Sequence, residues 1–369
     1  MLLMKKKLAL LLFKYFPYGG LQKDFLGVAD ELISRGHILK VFTRSWEGPI
    51  PEGLDVVILG ERGKSNYAKN KNFVKNASLS VQEFSPDIIF GFNKMPGLDL
   101  YFAADTCFAN QALNKNIVQR FTRRYKQSMQ FEEDVFSQKS TTKILSLNVK
   151  QANEFRDFYS TQPERITIIP PGIDKNWPDQ EPINIYEALN IPIGERILLF
   201  VGSDFSRKGL DRAILGLRHL NEHNIPSNLV VIGDDKSKPY EKLISRASLS
   251  SKVFFLGPRK DVASFMKSAD LLIHPAREEA AGNIIIEALV SGLPSLVTNE
   301  VGFSGEVLKY RSGAVLEGEF NQNRFNLLIE ESISDKKLSF VRNSINELSN
   351  KEYFFSRFGF IADFLEETF

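Results

Sequence analysis

Short apolar segments alternate with amphipathic helices along almost the whole chain, and this alternation limits the possible fold more than any other feature. Strands separated by helices favour parallel sheets with right-handed crossovers. The predicted strands of the first half are 8–13, 38–43, 55–59, 87–92, 100–103, 143–147 and 166–169. Those of the second half are 197–201, 229–232, 253–256, 271–273 and 295–298.

The two strand series meet near residues 170–178, and from residue 330 onward the pattern is helical only. A chain of 369 residues most naturally forms two domains. We therefore predict an α/β protein with two doubly wound, Rossmann-like domains that face a cleft. The expected domains are 1–171 and 172–350, and a last helix within 351–369 is expected to cross back to the first domain.

Composition and charge exclude several classes of protein. The net charge is +2, which argues against a nucleic-acid partner. The single cysteine, Cys107, leaves no internal disulfide and no zinc cluster, as in a reducing compartment. Residues 8–13 follow a lysine run, but Lys14 ends the apolar segment with no small-residue cleavage site, so a buried first strand is expected instead of a signal peptide. No segment approaches the roughly 20 apolar residues of a membrane span.

One stretch of the first half is strongly basic. No acidic residue lies between Asp105 and Glu132. The basic residues inside it are Lys115, Arg120, Arg123, Arg124 and Lys126, and the apolar residues Ile117, Phe121, Tyr125 and Met129 recur every four positions. This spacing predicts a helix with an apolar stripe and a basic flank. The helix either packs on the core with solvated basic residues, or meets anionic lipid or a phosphorylated acceptor.

Two glutamates eight residues apart, Glu279 and Glu287, suggest a ligand site in the second half. Glu279 is predicted in a loop after the strand 271–273, and Glu287 on the following helix, about two turns on. Ligands of open parallel sheets bind beyond the carboxyl ends of the strands, and carboxylates accept hydrogen bonds from sugar hydroxyls. The alternative is a carboxylate that stabilises a helix dipole and one solvated Glu.

Two further segments favour a phosphate ligand. Gly19 and Gly20 form a turn after the first strand, where backbone N–H groups at a helix start can hold a phosphate. Arg207 and Lys208 follow the strand 197–201 and are expected at the start of a helix, where a planar fork and a compact charge suit a diphosphate. The chain contains no D-x-D motif, so the usual paired-aspartate magnesium site for a diphosphate is missing, and no metal cofactor is predicted.

These segments resemble a known family. The chain is similar to retaining glycosyltransferases of the GT-B fold that carry a Glu-x7-Glu motif, and most closely to the lipopolysaccharide core glucosyltransferases that add the first glucose to inner-core heptose. The matching stretches are 14–22, 91–99, 101–105, 170–173, 201–205, 207–209, 274–276 and 279–287.

The resemblance implies a role for each site residue. Arg207 and Lys208 match the pair that binds the donor diphosphate, and Glu279 matches the Glu near the hydroxyls of the transferred sugar. Glu287 matches the Glu on the ribose. The backbone N–H groups of Ala281, Gly282 and Asn283 match the loop beneath the sugar and phosphate, and Gly19 and Gly20 match a first-domain loop that closes over the phosphates. Asp105 matches an acidic residue on the acceptor side, and Asp24 is expected to face the same way. The first domain is then the acceptor side and the second binds the nucleotide sugar.

The expected reaction moves glucose from UDP-glucose to a heptose hydroxyl of lipopolysaccharide, with retention at the anomeric carbon and without a metal. The expected partners are UDP-glucose, a heptosylated lipopolysaccharide acceptor and an anionic membrane surface, with no nucleic acid. The expected location is the cytoplasmic face of the inner membrane, as a peripheral protein.

Other functions remain open at this stage. Another hexosyltransferase with a different UDP-sugar or acceptor fits the same residues. A nucleotide-sugar epimerase shares the fold but has no need for the basic stretch. A nicotinamide dehydrogenase is disfavoured because the G-x-G-x-x-G fingerprint is missing. A non-catalytic lipid- or sugar-binding module would not need both glutamates together with the Arg-Lys pair.

Overall fold

The fold is given by a computed structural model, which describes residues 5–17, 19–113, 116–348 and 352–369. The chain divides into two compact units, of which the first is formed by 1–172 with 356–369 and the second by 173–355. Each unit is an α/β layer structure around one parallel sheet.

The sheet of the first unit has seven parallel strands within the described residues, in the order β3-β2-β1-β4-β5-β6-β7. Its strands are β1 Lys7–Tyr15, β2 Ile38–Trp46, β3 Asp55–Ile58, β4 Ile88–Gly91, β5 Leu100–Ala103, β6 Lys143–Ser146 and β7 Ile166–Ile168. Its helices are α1 Gly20–Ser34, α2 Asn66–Phe84, α3 Phe108–Ala112, α4 Ile117–Arg120, α5 Arg123–Phe136 and α6 Val149–Tyr159. The strands predicted for this half are confirmed, with end shifts of up to three residues. Asn148 caps α6 through its side chain, which accepts a hydrogen bond from the Gln151 N–H.

The sheet of the second unit has six parallel strands in the described part of the chain, in the order β10-β9-β8-β11-β12-β13. Its strands are β8 Arg196–Val201, β9 Ser227–Ile232, β10 Val253–Gly257, β11 Leu271–His274, β12 Ser295–Thr298 and β13 Gly313–Leu316. Its helices are α7 Ile185–Ala188, α8 Phe205–Lys208, α9 Leu210–Glu222, α10 Lys238–Arg246, α11 Val262–Ser268, α12 Asn283–Val290, α13 Ser304–Lys309, α14 Gln322–Ser332 and α15 Asp335–Asn346.

The strand β13 is absent from the sequence-based prediction. It contains only four residues and begins at Gly313, whose backbone lies against β12 so closely that a Cβ would stand 1.8 Å from the Ser295 carbonyl oxygen. A short apolar run that begins with glycine has a low intrinsic preference for a strand. The strand forms here because it pairs with β12.

Central strands of both sheets are buried on both faces, which explains why they are continuously apolar. In β8, Leu198 and Phe200 pack into one core, while Ile197 and Leu199 pack into another on the opposite face. The helices that cover these faces therefore lie on both sides of the sheet, as in a doubly wound fold.

The last helix, α16 Arg357–Thr368, belongs to the first unit and packs along α1. Arg35, just after α1, forms ion pairs with Asp363 at 2.5 Å and Glu366 at 3.0 Å. His37 also contacts Glu366, at 3.0 Å. The C-terminal segment thus completes a layer of the first unit.

Candidate functional site

The order of strands reverses at one place in each sheet. In the second unit β8 lies between β9 and β11, so the chain leaves β8 toward one edge and later returns to pair β11 on its other side. The crevice beyond the carboxyl ends of two such strands is where doubly wound sheets bind ligands. The segments that follow β8 and β11 contain Arg207, Lys208 and Glu279, so the sequence-predicted residues meet at this point.

Arg207 and Lys208 lie in the short helical turn α8, which Asp204 caps by accepting the Arg207 backbone N–H. They are therefore the last residues of one turn, and Gly209 separates them from α9, which corrects the prediction that they begin a helix. Gly209 joins the two helices with φ +78°, and a Cβ there would lie 2.2 Å from the Pro275 carbonyl oxygen. Only glycine fits this junction, which fixes the pair beside the end of β11.

Glu279 contacts both cations through one oxygen. Its Oε2 lies 2.7 Å from Lys208 Nζ and 3.1 Å from Arg207 Nη1. Arg207 also donates to the Glu278 carbonyl oxygen at 2.8 Å. Burial raises the pKa of the Glu279 carboxyl, but the charges of Lys208 and Arg207 lower it further, so its pKa lies below the ordinary value of 4.5. The carboxylate is ionised at neutral pH, and the three side chains together carry one net positive charge.

The loop that carries Glu279 is held by its own backbone. The Gly302 N–H donates to the Glu279 carbonyl oxygen at 2.9 Å, and the Phe303 N–H donates to that of Ala281 at 2.8 Å. Gly282 has φ +81°, and a Cβ there would stand 2.5 Å from Val301. These contacts connect the loop to residues 301–303, and the positive φ favours glycine at position 282.

The helix α12 starts directly after this loop, at Asn283, with Gly282 as its N-cap residue. Its first N–H groups and their dipole therefore face the side of the sheet that carries the Glu279 cluster, where they favour an anion. Glu287 lies on the same helix and is half-buried, in agreement with the predicted loop and helix positions of the two glutamates.

Two residues of this unit were missed from the sequence. Arg277 donates its backbone N–H to the Arg207 carbonyl oxygen at 2.7 Å, and its guanidinium pairs with Asp211 at 2.7 Å. It thereby connects the loop after β11 to α8 and α9. His274, the last residue of β11, is fully buried with Nε2 3.9 Å from Glu279 Oε2. Two sequence signals point to it: its place before a proline at a strand end, and its place in the matching stretch 274–276.

Gly19 and Gly20 belong to the first unit, where β1 lies between β2 and β4 at the corresponding reversal. Gly19 is the N-cap residue of the 15-residue helix α1, and a Cβ there would stand 1.8 Å from Gln22 Oε1. A Cβ on Gly20 would meet nothing within 4 Å. A Cβ at the first position would therefore require the side chains of Gln22 and Phe16 to move, whereas the second position leaves open space above the helix start.

Asp105 lies in the loop after β5, with an exposed side chain. Its carbonyl oxygen accepts a hydrogen bond from Gln151 Nε2 at 2.9 Å. The same loop is supported by Glu132, a fully buried carboxylate that sequence reasoning missed. Glu132 accepts the N–H groups of Phe108 at 2.6 Å and Ala109 at 2.9 Å.

Glu132 also pairs with Lys94, which donates to the Thr106 carbonyl oxygen at 2.7 Å. Tyr159 Oη donates to the same carboxylate at 2.6 Å. These contacts fix the backbone that follows Asp105. Burial raises the pKa of the Asp105 carboxyl, with the charge of Lys94 opposing this shift and that of Glu132 adding to it.

The position of Asp24 differs most clearly from the prediction. It was expected on an acceptor-facing surface, but it is buried and its Oδ1 lies 2.6 Å from Nη1 of the fully buried Arg357. Arg357 also donates to the Pro170 carbonyl oxygen at 3.0 Å. A carboxylate held in this way joins α1 to α16, and its role is structural.

The basic stretch also differs from the prediction. It forms two helices, α4 and α5, because Thr122 caps α5 by accepting the Tyr125 N–H at 3.2 Å. The apolar stripe is split accordingly: Met129 packs on the core, whereas Phe121 is 71% exposed. Lys115 lies outside the described residues.

The surface around this break combines apolar and cationic side chains. Val118 is 73% exposed and Leu113 63% exposed. Arg120, Arg123, Arg124 and Lys126 are exposed as well, and Arg120 donates to the Ala112 and Leu113 carbonyl oxygens at the end of α3. We call Leu113, Val118, Phe121, Arg123, Arg124 and Lys126 the α4–α5 surface.

Within residues 5–17, 19–113, 116–348 and 352–369, no helix is long and apolar enough to cross a membrane. In that same part of the chain, no group of three or more His, Cys, Asp or Glu side chains is placed to hold a metal ion.

Comparison with known proteins agrees with this geometry. Residues 183–347, most of the second unit, match the family model described as glycosyl transferases group 1. The lipopolysaccharide glucosyltransferase WaaG of Escherichia coli K12 is 39% identical over 339 residues, which span 89% of this chain and 90% of WaaG. The chain belongs to this glycosyltransferase family.

Solved structures lead to the same fold. A crystal structure of WaaG, described as a glycosyltransferase involved in lipopolysaccharide biosynthesis, matches with a TM-score of 0.88 and 35% identity, over 96% of this chain and 98% of that one. HepE of Anabaena, solved in complex with UDP-glucose, matches with a TM-score of 0.73 and 16% identity, over 99% of this chain and 100% of that one, a likeness of fold alone. The predicted family and GT-B fold are confirmed, and the enzyme is a glycosyltransferase.

Proposed function

We propose that this glycosyltransferase transfers glucose from UDP-glucose to a heptose of the lipopolysaccharide inner core, with retention at the anomeric carbon. The observation that carries the proposal is the Arg207–Lys208–Glu279 cluster at the strand reversal of the second sheet, in a chain 39% identical to a lipopolysaccharide glucosyltransferase. Cations for a diphosphate and a carboxylate for sugar hydroxyls are the two groups that a nucleotide-sugar site needs.

The donor is held by charge and by backbone. Arg207 and Lys208 bind the diphosphate, together with the N–H groups of Ala281, Gly282 and Asn283 at the start of α12. Glu279 accepts hydrogen bonds from the glucose hydroxyls. Glu287, further along α12, accepts hydrogen bonds from the ribose hydroxyls.

The chemical step breaks the bond between the anomeric carbon and the diphosphate oxygen and forms a bond from the same face to the acceptor oxygen. The transition state resembles an oxocarbenium ion. The acceptor hydroxyl proton moves to an oxygen of the departing phosphate. Arg207 and Lys208 stabilise the negative charge that develops there, so no metal is needed for this task.

The first unit supplies the acceptor side. Asp105 lies beyond β5, and Gly20 leaves open space above the start of α1. The α4–α5 surface meets anionic lipid at the cytoplasmic face of the inner membrane. Exposed Val118 and Phe121 beside Arg123 and Arg124 support this, since apolar side chains bury into the interface while cations attract lipid head groups.

The test is a panel assay of the purified enzyme with radiolabelled nucleotide sugars and core lipopolysaccharides truncated at successive sugars. The proposal predicts transfer from UDP-glucose to the heptose-terminated acceptor, with UDP released in equal amount. Transfer from another UDP-sugar would show that the donor is not UDP-glucose. An isomerised donor without any transfer would show that the enzyme is an epimerase and would refute the proposal.

A further inference from the structure

His274 is a polar side chain in an unusual position. It is fully buried at the carboxyl end of β11, and neither ring nitrogen has a hydrogen-bond partner among the described residues. Its ring lies 6.5 Å from that of Phe200, and its Nε2 is 3.9 Å from Glu279 Oε2. Buried polar groups without partners cost free energy and are rare in folded proteins. A hydrogen-bond partner in another state of the site would explain a histidine at this position.

The imidazole is neutral in this position. Burial lowers the pKa of His274 to about 3, with Lys208 and Arg207 lowering it and Glu279 opposing them. A neutral imidazole has one N–H donor. It can therefore offer the Glu279 carboxylate a hydrogen bond without adding a third positive charge.

In this structure Glu279 pairs with two cations and not with His274. Both Lys208 and Arg207 contact the same oxygen, Oε2, and the side chain of Glu279 is only 16% exposed. A diphosphate that takes these two cations would strip the carboxylate of its partners. A buried charge that loses its counterions is strongly unfavourable unless other donors replace them.

We propose that His274 is a positioning residue that donates a hydrogen bond to Glu279 when Arg207 and Lys208 turn from this carboxylate to the diphosphate of the donor. The 3.9 Å gap closes by about 1 Å to reach hydrogen-bond distance. The carboxylate then stays ionised and aimed at the sugar hydroxyls while the cations serve the phosphates. This inference rests on the proposed nucleotide-sugar site.

The test compares UDP-glucose, UDP and UMP binding to wild type and His274→Phe by calorimetry. Phenylalanine keeps the ring but removes both nitrogens. We expect roughly tenfold weaker binding of UDP-glucose and UDP, because one hydrogen bond to a charged group is lost. UMP binding should be unchanged, because without a second phosphate the cations remain on Glu279. The melting temperature without ligand should be equal or higher, since an unsatisfied polar group has been removed.

Two further variants separate positioning from structure. His274→Gln retains a side-chain N–H and should recover most of the UDP affinity. His219→Phe is the matched control, because this histidine of the same unit contacts Glu330 instead of the Glu279 cluster, at 3.0 Å, and its loss should leave nucleotide binding unchanged.

Unaltered UDP-glucose affinity in His274→Phe, or an equal loss for UMP, would overturn the inference. Wild type that fails to bind UDP-glucose would instead refute the proposed function. If His274→Phe does not fold, the wild-type imidazole signals in ¹⁵N-histidine NMR decide the question. UDP should shift the His274 N–H resonance and UMP should not, and equal responses to the two nucleotides would contradict the proposal.

Discussion

Replacing Lys208 with methionine tests the diphosphate assignment. Lys208→Met removes the charge but keeps an unbranched side chain over Gly202, where Lys208 packs so closely that a Cβ on the glycine would lie 2.5 Å from its Cδ. Its ammonium is 2.7 Å from Glu279, and the side chain is 13% exposed. The variant therefore removes one cation from a largely buried site with little change in volume.

The expected loss follows from the two states of the site. Without donor, Glu279 keeps Arg207 at 3.1 Å, so the carboxylate is not left unpaired and the protein stays folded. With donor, one charge-assisted contact to the phosphate is lost, which costs about 1.5–3 kcal/mol. Because the phosphate gains charge as it departs, most of the loss falls on turnover, and we expect kcat to fall by about 10- to 150-fold.

The assay measures UDP release and glucosylated acceptor as a function of UDP-glucose concentration. Lys242→Met is the matched control, since this lysine is exposed on α10. It should show wild-type turnover. A folded Lys208→Met variant with kcat within threefold of wild type would refute the assignment of this side chain to the diphosphate.

Three other predictions follow from individual contacts. Asp24→Asn removes the negative charge that pairs with the buried Arg357 and should lower the free energy of unfolding by about 3 kcal/mol in denaturant titrations, with an unchanged KM for the acceptor. Glu279→Gln should reduce the dependence of the free energy of unfolding on pH in the acid range. Because the pKa of the Glu279 carboxyl is depressed in the folded protein, the ionised group contributes its full stabilisation above its ordinary pKa of 4.5. That stabilisation is lost as the pH falls through the lower pKa of the folded state. Measured unfolding free energies from pH 6 to 3 should therefore converge for wild type and variant. Arg123→Ala with Arg124→Ala should weaken binding to anionic vesicles in sedimentation assays by about 30-fold at low salt, at roughly 1 kcal/mol per charge.

Each of these predictions has a result that would contradict it. A stable Asp24→Asn protein with a raised KM for the acceptor would show that Asp24 takes part in acceptor binding. Parallel pH profiles would show that Glu279 is not held ionised by its neighbours. The charge-matched control for the vesicle assay is Lys238→Ala with Lys242→Ala on α10; equal weakening by both pairs would show that lipid binding depends on net charge and not on the α4–α5 surface.

Local sequence patterns were sufficient for much of the fold and for part of the site. Strands buried on both faces are continuous apolar runs, so β1 and β8 are evident without any partner. Glu279 and Arg207 were found because both follow such strands directly, and parallel strands bring their carboxyl ends to one edge. The same logic does not reach β13, whose four residues depend on pairing with β12.

The missed features depend on contacts between distant segments. Asp24 carries no sign that Arg357, which is 333 positions away, will bury it. The four-residue apolar spacing around Phe121 suggested one helix, but Thr122 favours a new helix start through its own hydroxyl. The roles of Glu132 and His274 likewise depend on contacts with neighbours that are distant in the sequence or come together only in the folded unit.

The most direct test of the proposed function is the anomeric configuration of the product. The wild-type enzyme would be incubated with UDP-glucose labelled with ¹³C at the anomeric carbon and a heptose-terminated lipopolysaccharide, and the product would be examined by NMR. We expect one new glucose on the heptose, with the α configuration of the donor, and UDP as the second product. A β-linked product would contradict retention, and free glucose or an isomerised donor in place of the glucosylated acceptor would contradict the proposed transfer.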